Sequence, residues 1–81
     1  MIKESIKLED IHTMNEISFD DCTIENKIVL KDGTIKVCDI KSINNGMLNI
    51  TQTKDQLIYQ AYLVKKQLDT IIENNKYALS A

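Results

Sequence analysis

The chain has 81 residues, 43% of them hydrophobic, and a formal net charge of −2. This length predicts one domain over residues 1–81, and the apolar content excludes a disordered chain. All ten basic residues are Lys. The absence of Arg weakens any case for specific nucleic-acid or phosphate recognition, because Arg supplies the bidentate fork for both. No stretch is long and apolar enough to span a membrane, so we expect a cytoplasmic protein without membrane contact.

The first 25 residues are acidic and weakly patterned. Residues 1–15 favour a short strand or irregular lead-in, followed by a helical turn. Residues 16–25 predict one strand with a bulge at Asp20-Asp21, which returns its apolar side chains to one face. Glu16, Asp20 and Asp21 are interpreted as an acidic surface on this strand. A metal site there is disfavoured, because no calcium-loop pattern is present.

Two tight turns organise the centre of the chain. Asp32-Gly33 lies between two apolar runs, which predicts a two-residue hairpin loop that pairs Leu30 with Ile35. Ile28 would then face Val37. Asn45-Gly46 predicts a second hairpin of the same kind, with Ile43 opposite Leu48. Ile40 breaks the parity between the two turns, so a bend or bulge is expected near residues 38–40.

The spacing of Leu30-Lys31-Asp32-Gly33, Ile40, Ile43 and Met47 resembles the first motif of the Sm-like RNA-binding family. The resemblance implies a small β-barrel that binds nucleic acid. The Asp and Asn of that family's RNA-binding loop would fall on Asn44 and Leu48, and its second motif has no counterpart here. Neither function nor site residues are therefore carried over from the family.

Residues 53–75 predict one long amphipathic helix. Thr53-Lys54-Asp55-Gln56 is a capping-box arrangement, and Asn74-Asn75 is the expected end. Apolar residues recur at intervals of three and four, which predicts a stripe that packs on the sheet. A coiled-coil contact is the alternative for the same spacing. The members of this apolar stripe are Leu57, Ala61, Val64, Leu68, Ile71 and Ile72.

Tyr59 and Leu63 fall on the helix face opposite the apolar stripe, with Tyr62 on the flank. Exposed tyrosines are favoured at protein interfaces, so these three residues and Lys66 are predicted to bind a protein partner. The competing interpretations are that they are scattered singly or are covered by the N-terminal segment.

Together these patterns predict an α+β fold, in which a curved antiparallel sheet of three to five strands is covered by one C-terminal helix. No catalytic set is visible: His12 is the only histidine, and Cys22 and Cys38 are interpreted as free, buried thiols. No cofactor or metal is expected. The favoured function is a non-enzymatic interaction module, such as an inhibitor, an adaptor or an assembly subunit. A phage or mobile-element origin and a homodimer are further expectations. The alternatives are a nucleic-acid-binding small barrel and a small-ligand binder or sponge at a dimer interface.

Overall fold

The computed structural model describes residues 1–18 and 23–80, with side chains described as far as residue 75. Five antiparallel strands form one sheet, and a C-terminal helix packs against it. In chain order the elements are β1 (Ile2–Lys7), a 3₁₀ turn (Leu8–Asp10), β2 (Ile11–Ser18), β3 (Ile24–Leu30), β4 (Ile35–Asn44), β5 (Met47–Gln52) and α1 (Lys54–Ser80). The predicted α+β class is confirmed.

The sheet order is β1-β5-β4-β3-β2, so strands β2 to β5 form a meander and β1 returns beside β5. The strand and helical turn favoured for residues 1–15 are confirmed by β1 and the 3₁₀ turn. The single strand predicted over residues 16–25 is wrong, because β2 ends at Ser18 and β3 begins at Ile24. The apolar positions change from odd to even numbers within this segment because it contains parts of two strands. The predicted bulge at Asp20-Asp21 lies outside the described residues.

The hairpin predicted at Asn45-Gly46 is confirmed. Asn45 and Gly46 both have positive φ, 51° and 72°. This left-handed pair is what a two-residue type I′ turn requires. Ile43 lies opposite Leu48, as predicted. The expected irregularity in β4 is also present, although it falls between Ile40 and Ser42 rather than at residues 38–40.

The Asp32-Gly33 hairpin is present, but its predicted register is wrong by one residue. Val29 lies opposite Ile35, and the loop contains three residues instead of two. The Gly33 amide donates to the Leu30 carbonyl at 2.9 Å, and the Leu30 amide donates to the Thr34 carbonyl at 2.8 Å. Gly33 has a φ of 92°, so the loop is a turn followed by a left-handed bulge residue. The Asp32 carboxylate stabilises this loop by accepting the Thr34 amide at 2.9 Å.

The register of this hairpin distributes the apolar residues of β4 over both faces of the sheet. Cys38 lies on the inner face, in a buried cluster. Ile35 and Val37 alternate with it, so they belong to the other face, where α1 contacts β4. The cluster includes Ile6 of edge strand β1, and Ile11 of edge strand β2 packs against it. The sheet is therefore strongly curved. The buried cluster consists of Ile6, Ile28, Cys38, Leu48 and Ile50, with Ile11, Leu30 and Ile40 packed against it.

Helix α1 begins as predicted but neither ends nor packs as predicted. The Gln56 amide donates to Thr53 Oγ1 at 3.2 Å, and the Thr53 amide donates to Gln56 Oε1 at 2.7 Å, which confirms the capping box. The helix continues past Asn74-Asn75 to Ser80. Among the described residues only Asn45 is a non-glycine with positive φ, so the asparagines at 74 and 75 do not adopt the left-handed conformation that would end the helix.

The predicted packing of the apolar stripe on the sheet is wrong. Gln56 is 4% exposed, and Tyr59, Gln60 and Leu63 are half-buried, so this side of α1 faces the sheet. Leu68 is 53% exposed. The physical reason is that Val37 of β4 lies beyond the end of β5, so its amide and carbonyl must find hydrogen-bond partners elsewhere.

Candidate interaction surface on the helix

Glutamine side chains join α1 to β4 at the end of the β5 ladder. The pairing of β5 with β4 begins at Asp39 and Thr51, so Val37 lies beyond the last pair. The Val37 amide donates to Gln60 Oε1 at 3.0 Å, and the Val37 carbonyl accepts Gln52 Nε2 at 3.0 Å. Gln52 Nε2 also donates to Gln60 Oε1 at 2.6 Å. Two side-chain amides thus replace the missing strand, and they fix which side of the helix faces the sheet.

Gln56 provides a second anchor in the first turn of the helix. Its side-chain amide donates to Glu25 Oε2 at 2.9 Å and to Asp39 Oδ1 at 3.1 Å. Its oxygen is already used by the Thr53 amide in the capping box. A buried amide requires such partners, because leaving it unpaired carries a large desolvation penalty. Gln56 therefore holds β3, β4 and the start of α1 together.

The four residues predicted to bind a partner do not form one exposed patch. The Tyr59 hydroxyl donates to the Ser18 carbonyl at 3.1 Å, so Tyr59 ties the helix to the end of β2. Leu63 is half-buried on the same side, whereas Tyr62 is 60% exposed and Lys66 is exposed. The Tyr59 and Tyr62 rings meet edge to face, with centroids 6.2 Å apart. The expectation that Tyr59 and Leu63 are solvent-exposed is therefore wrong, while their role in partner binding remains a prediction.

Only part of the predicted acidic surface can be placed. Glu16 is exposed on β2, opposite Asn26 of β3. Asp20 and Asp21 lie outside the described residues. The role of this surface remains a prediction.

Most of the apolar stripe that the sequence pattern assigned to the core is exposed, although Leu57 at its start is half-buried. At 100° per residue, Leu68 lies roughly 100° around the helix from the midpoint between Gln56 and Gln60. Every residue from 64 to 75 is exposed. The large apolar side chains along this side are Ile58 (60% exposed), Val64 (37%), Leu68 (53%), Ile71 (46%) and Ile72 (64%). We call these five residues the exposed stripe.

Apart from Ile58, the exposed stripe lies on a part of α1 that extends beyond the sheet. A helix of 27 residues is about 40 Å long, and its described side-chain hydrogen bonds to the strands come from Gln56, Tyr59 and Gln60, near its start. The radius of gyration is 14.7 Å, compared with roughly 12 Å for a compact chain of this length. The longest molecular axis is 49 Å. No strand covers the second half of the helix in the described part of the chain.

Positive and negative charges along α1 nearly cancel, and the basic residues of its second half precede the acidic ones. Over residues 54–75, three lysines are matched by three carboxylates. In the extending half, the basic pair Lys65 and Lys66 precedes the acidic residues Asp69 and Glu73. With Lys76, α1 as a whole carries a net charge of only +1, which is too small to draw it strongly to an anionic membrane surface. No helix in the described residues is long and apolar enough to cross a membrane.

The rest of the described surface offers less specific chemistry. Cys38 is fully buried, and desolvation together with nearby Asp39 and Glu25 raises the pKa of its thiol to about 11. A shallow depression of about 430 Å³, lined mainly by polar side chains, lies across β1, β5 and β4. Within residues 1–18 and 23–80, no group of three potential metal ligands comes together.

No protein-family model, curated protein or solved structure matches this chain. Of the two positions aligned with the RNA-binding loop of the Sm-like family, Leu48 is fully buried. Strands β1 and β2, the two edges of the sheet, do not pair with each other in the described residues, so the sheet is open there.

Proposed function

We propose that this protein is a non-catalytic interaction module, and that the exposed stripe of α1 is its contact surface for another protein. The observation that carries the proposal is the solvent exposure of five large aliphatic side chains on one side of one helix. Contiguous exposed apolar surface on a small domain marks a site of association more often than a single exposed residue does.

The kind of partner follows from the spacing of the exposed stripe. Val64, Leu68 and Ile71 recur at intervals of four and three, which is the spacing that packs against a second helix. Ile58 and Ile72 widen the stripe on one side. A groove or helix that offers complementary apolar side chains would fit it, as in helix-in-groove recognition. Tyr62, exposed on the flank, would extend the contact.

The test compares the wild-type chain with Leu68→Glu and Thr70→Glu. Both substitutions add one negative charge to the same helix turn, but Thr70 lies on the side opposite Leu68. Each tagged protein is used to capture proteins from the cell of origin, and each candidate is then purified and titrated against all three. The proposal predicts a partner that binds the wild type and Thr70→Glu but binds Leu68→Glu at least tenfold more weakly. It is rejected if no partner, a second copy included, distinguishes the two variants.

A further inference from the structure

We infer that the depression across β1, β5 and β4 is a binding site for the phosphate group of a small molecule. It lies on the sheet and not on the exposed stripe, so it goes beyond the proposed function and is tested independently of it. Its volume of about 430 Å³ lies within the usual range of small-ligand pockets, about 300–1,000 Å³. The lining residues are Lys3, Glu4, Ser5, Lys41, Asn49, Ile50 and Thr51.

Two lysines from different strands meet at this depression. Lys3 of β1 lies directly opposite Thr51 of β5. Lys41 is the extra residue in the irregularity of β4 between Ile40 and Ser42. An extra residue in a strand changes the direction of a side chain, and here Lys41 joins Lys3 at the depression. Both lysines are exposed, and neither forms an ion pair with another described residue.

The charge available to a ligand in the depression is positive. Glu4 is the only acidic lining residue, and its carboxylate pairs with Lys36 Nζ at 3.0 Å. The Asp39 carboxylate, on the other side of Thr51, accepts the Gln56 side-chain amide at 3.1 Å. Two unpaired ammonium groups match a phosphate monoester, with a charge of about −1.5 to −2, better than a singly charged carboxylate. Lysine binds phosphate as a point charge, so such a site does not require Arg.

The floor of the depression contains a hydroxyl without a hydrogen-bond partner. Thr51 is 6% exposed, and its Oγ1 bonds to no other described residue. A buried polar group normally has a partner, because leaving it unpaired is unfavourable. The hydroxyl is shielded from solvent in this conformation, so a ligand would reach it through a change of the Thr51 rotamer. A phosphate oxygen would then accept the hydrogen bond that the hydroxyl does not make in the protein alone.

The other polar side chains of the depression already satisfy one another. The Ser5 hydroxyl donates to Asn49 Oδ1 at 2.6 Å, and Asn49 Nδ2 donates to Ser42 Oγ at 3.0 Å. These contacts join β1, β5 and β4 and hold the floor in place. Of the two hydroxyls that line the depression, only that of Thr51 therefore has a hydrogen bond left to donate. The donors for a ligand are thus the Thr51 hydroxyl and the two ammonium groups.

An NMR titration of the full chain with inorganic phosphate tests the site, with sodium chloride keeping the ionic strength constant. We expect saturable shifts of the amide signals of Lys3, Ser5, Lys41 and Thr51, and at least tenfold weaker binding of acetate. No saturable shift with phosphate, or equal binding of acetate, overturns the inference.

Two further probes distinguish the sources of the phosphate group. A nucleoside monophosphate that binds as well as inorganic phosphate supports recognition of the phosphate alone. Tighter binding of the nucleotide supports a site that also holds the rest of a small molecule. A single-stranded oligonucleotide that shifts the same signals, while neither small phosphate does, overturns the inference in favour of a nucleic-acid surface.

Lys41→Gln tests the contribution of one ammonium group. We expect it to weaken phosphate binding at least fivefold, because it halves the unpaired positive charge at the depression. The matched control is Lys65→Gln, which removes an exposed lysine from the second half of α1 and should leave binding unchanged. Equal weakening by the two substitutions would mean that phosphate responds only to net charge, which overturns the site.

Thr51→Val tests the hydroxyl while keeping the shape of the side chain. We expect phosphate binding to weaken several-fold, while the free energy of unfolding stays the same or rises, because a buried hydroxyl without a partner is removed. A loss of stability with unchanged phosphate binding would show that the hydroxyl serves the fold, and it would overturn the role given to Thr51 in the site.

Discussion

At the scale of single residues, the fold depends on glutamine side chains that act in place of backbone. Val37 is fully buried, and its amide and carbonyl both point past the end of β5. Gln60 accepts the amide and Gln52 donates to the carbonyl. Because an unpaired backbone group in this position would be shielded from water, these two contacts determine the orientation of the helix more strongly than its apolar stripe does.

Gln60→Ala should lower the free energy of unfolding by about 1–3 kcal/mol, because it removes the acceptor of the buried Val37 amide. The matched control is Gln67→Ala, two turns further along the same helix at an exposed position, which should change it by less than about 0.5 kcal/mol. Urea denaturation of both variants at low protein concentration provides the measurement. Equal effects of the two substitutions would show that Gln60 does not anchor the helix.

Cys38 predicts a dependence of stability on alkaline pH. Burial raises the pKa of its thiol from 9.0 to about 11 in the folded chain, with Asp39 and Glu25 adding to the effect. Between these values the unfolded state loses the thiol proton and the folded state keeps it. The stability contributed by the neutral thiol is therefore complete below pH 9 and is lost as the pH rises through about 11.

The measurement for Cys38 is the difference between wild type and Cys38→Ala in unfolding free energy, followed from pH 7 to pH 11. All other ionisable groups are common to both proteins, so the difference isolates Cys38. We expect the advantage of the wild type over Cys38→Ala to shrink above pH 9. A constant difference would mean that the Cys38 thiol ionises equally well in the folded and unfolded states.

At the scale of secondary-structure elements, the sequence predicted the geometry correctly where a single turn or helix cap determines it. Asn45-Gly46 gave the correct hairpin, because only a type I′ turn uses two left-handed residues in succession. Thr53 and Gln56 gave the correct helix start, because a capping box is complete within four residues. Asp32-Gly33 gave the hairpin but not its register, since the Asp32 carboxylate favours a three-residue loop.

The side of the helix that faces the sheet could not be predicted from periodicity. An apolar stripe in α1 implies that something covers it, but it does not say whether the cover is the chain's own sheet or another molecule. Here the amide and carbonyl of Val37 decide the question, and their need for partners depends on where β5 ends. Nothing in the sequence of residues 53–75 indicates where β5 ends. The half-buried positions of Tyr59 and Leu63 were unpredictable for the same reason.

At the scale of the whole molecule, the protein has two parts with different sources of stability. The curved sheet has its own buried cluster, to which β1, β3, β4 and β5 contribute. The first turns of α1 are fixed to this sheet by hydrogen bonds, and residues 64–75 of the helix are exposed to solvent. The α+β class was predictable from turn and helix signals. The curved sheet was expected too, but the edge positions of β1 and β2 were not, because they follow from long-range strand pairing.

This division separates folding from association. Substitutions in the buried cluster should unfold the protein, whereas substitutions in the exposed stripe should leave the dilute protomer folded and change only what it binds. The central claim is that the exposed stripe belongs to an interface and not to the core of the protomer. Leu68 is the position where the two possibilities differ most.

The most direct test is the free energy of unfolding of Leu68→Ala, measured against wild type at several protein concentrations. A leucine packed in a core would lose about 2–5 kcal/mol at every concentration. We predict a loss below about 1 kcal/mol in dilute solution, because Leu68 is 53% exposed in the protomer. A concentration-independent loss of the size expected for a core leucine would contradict the account.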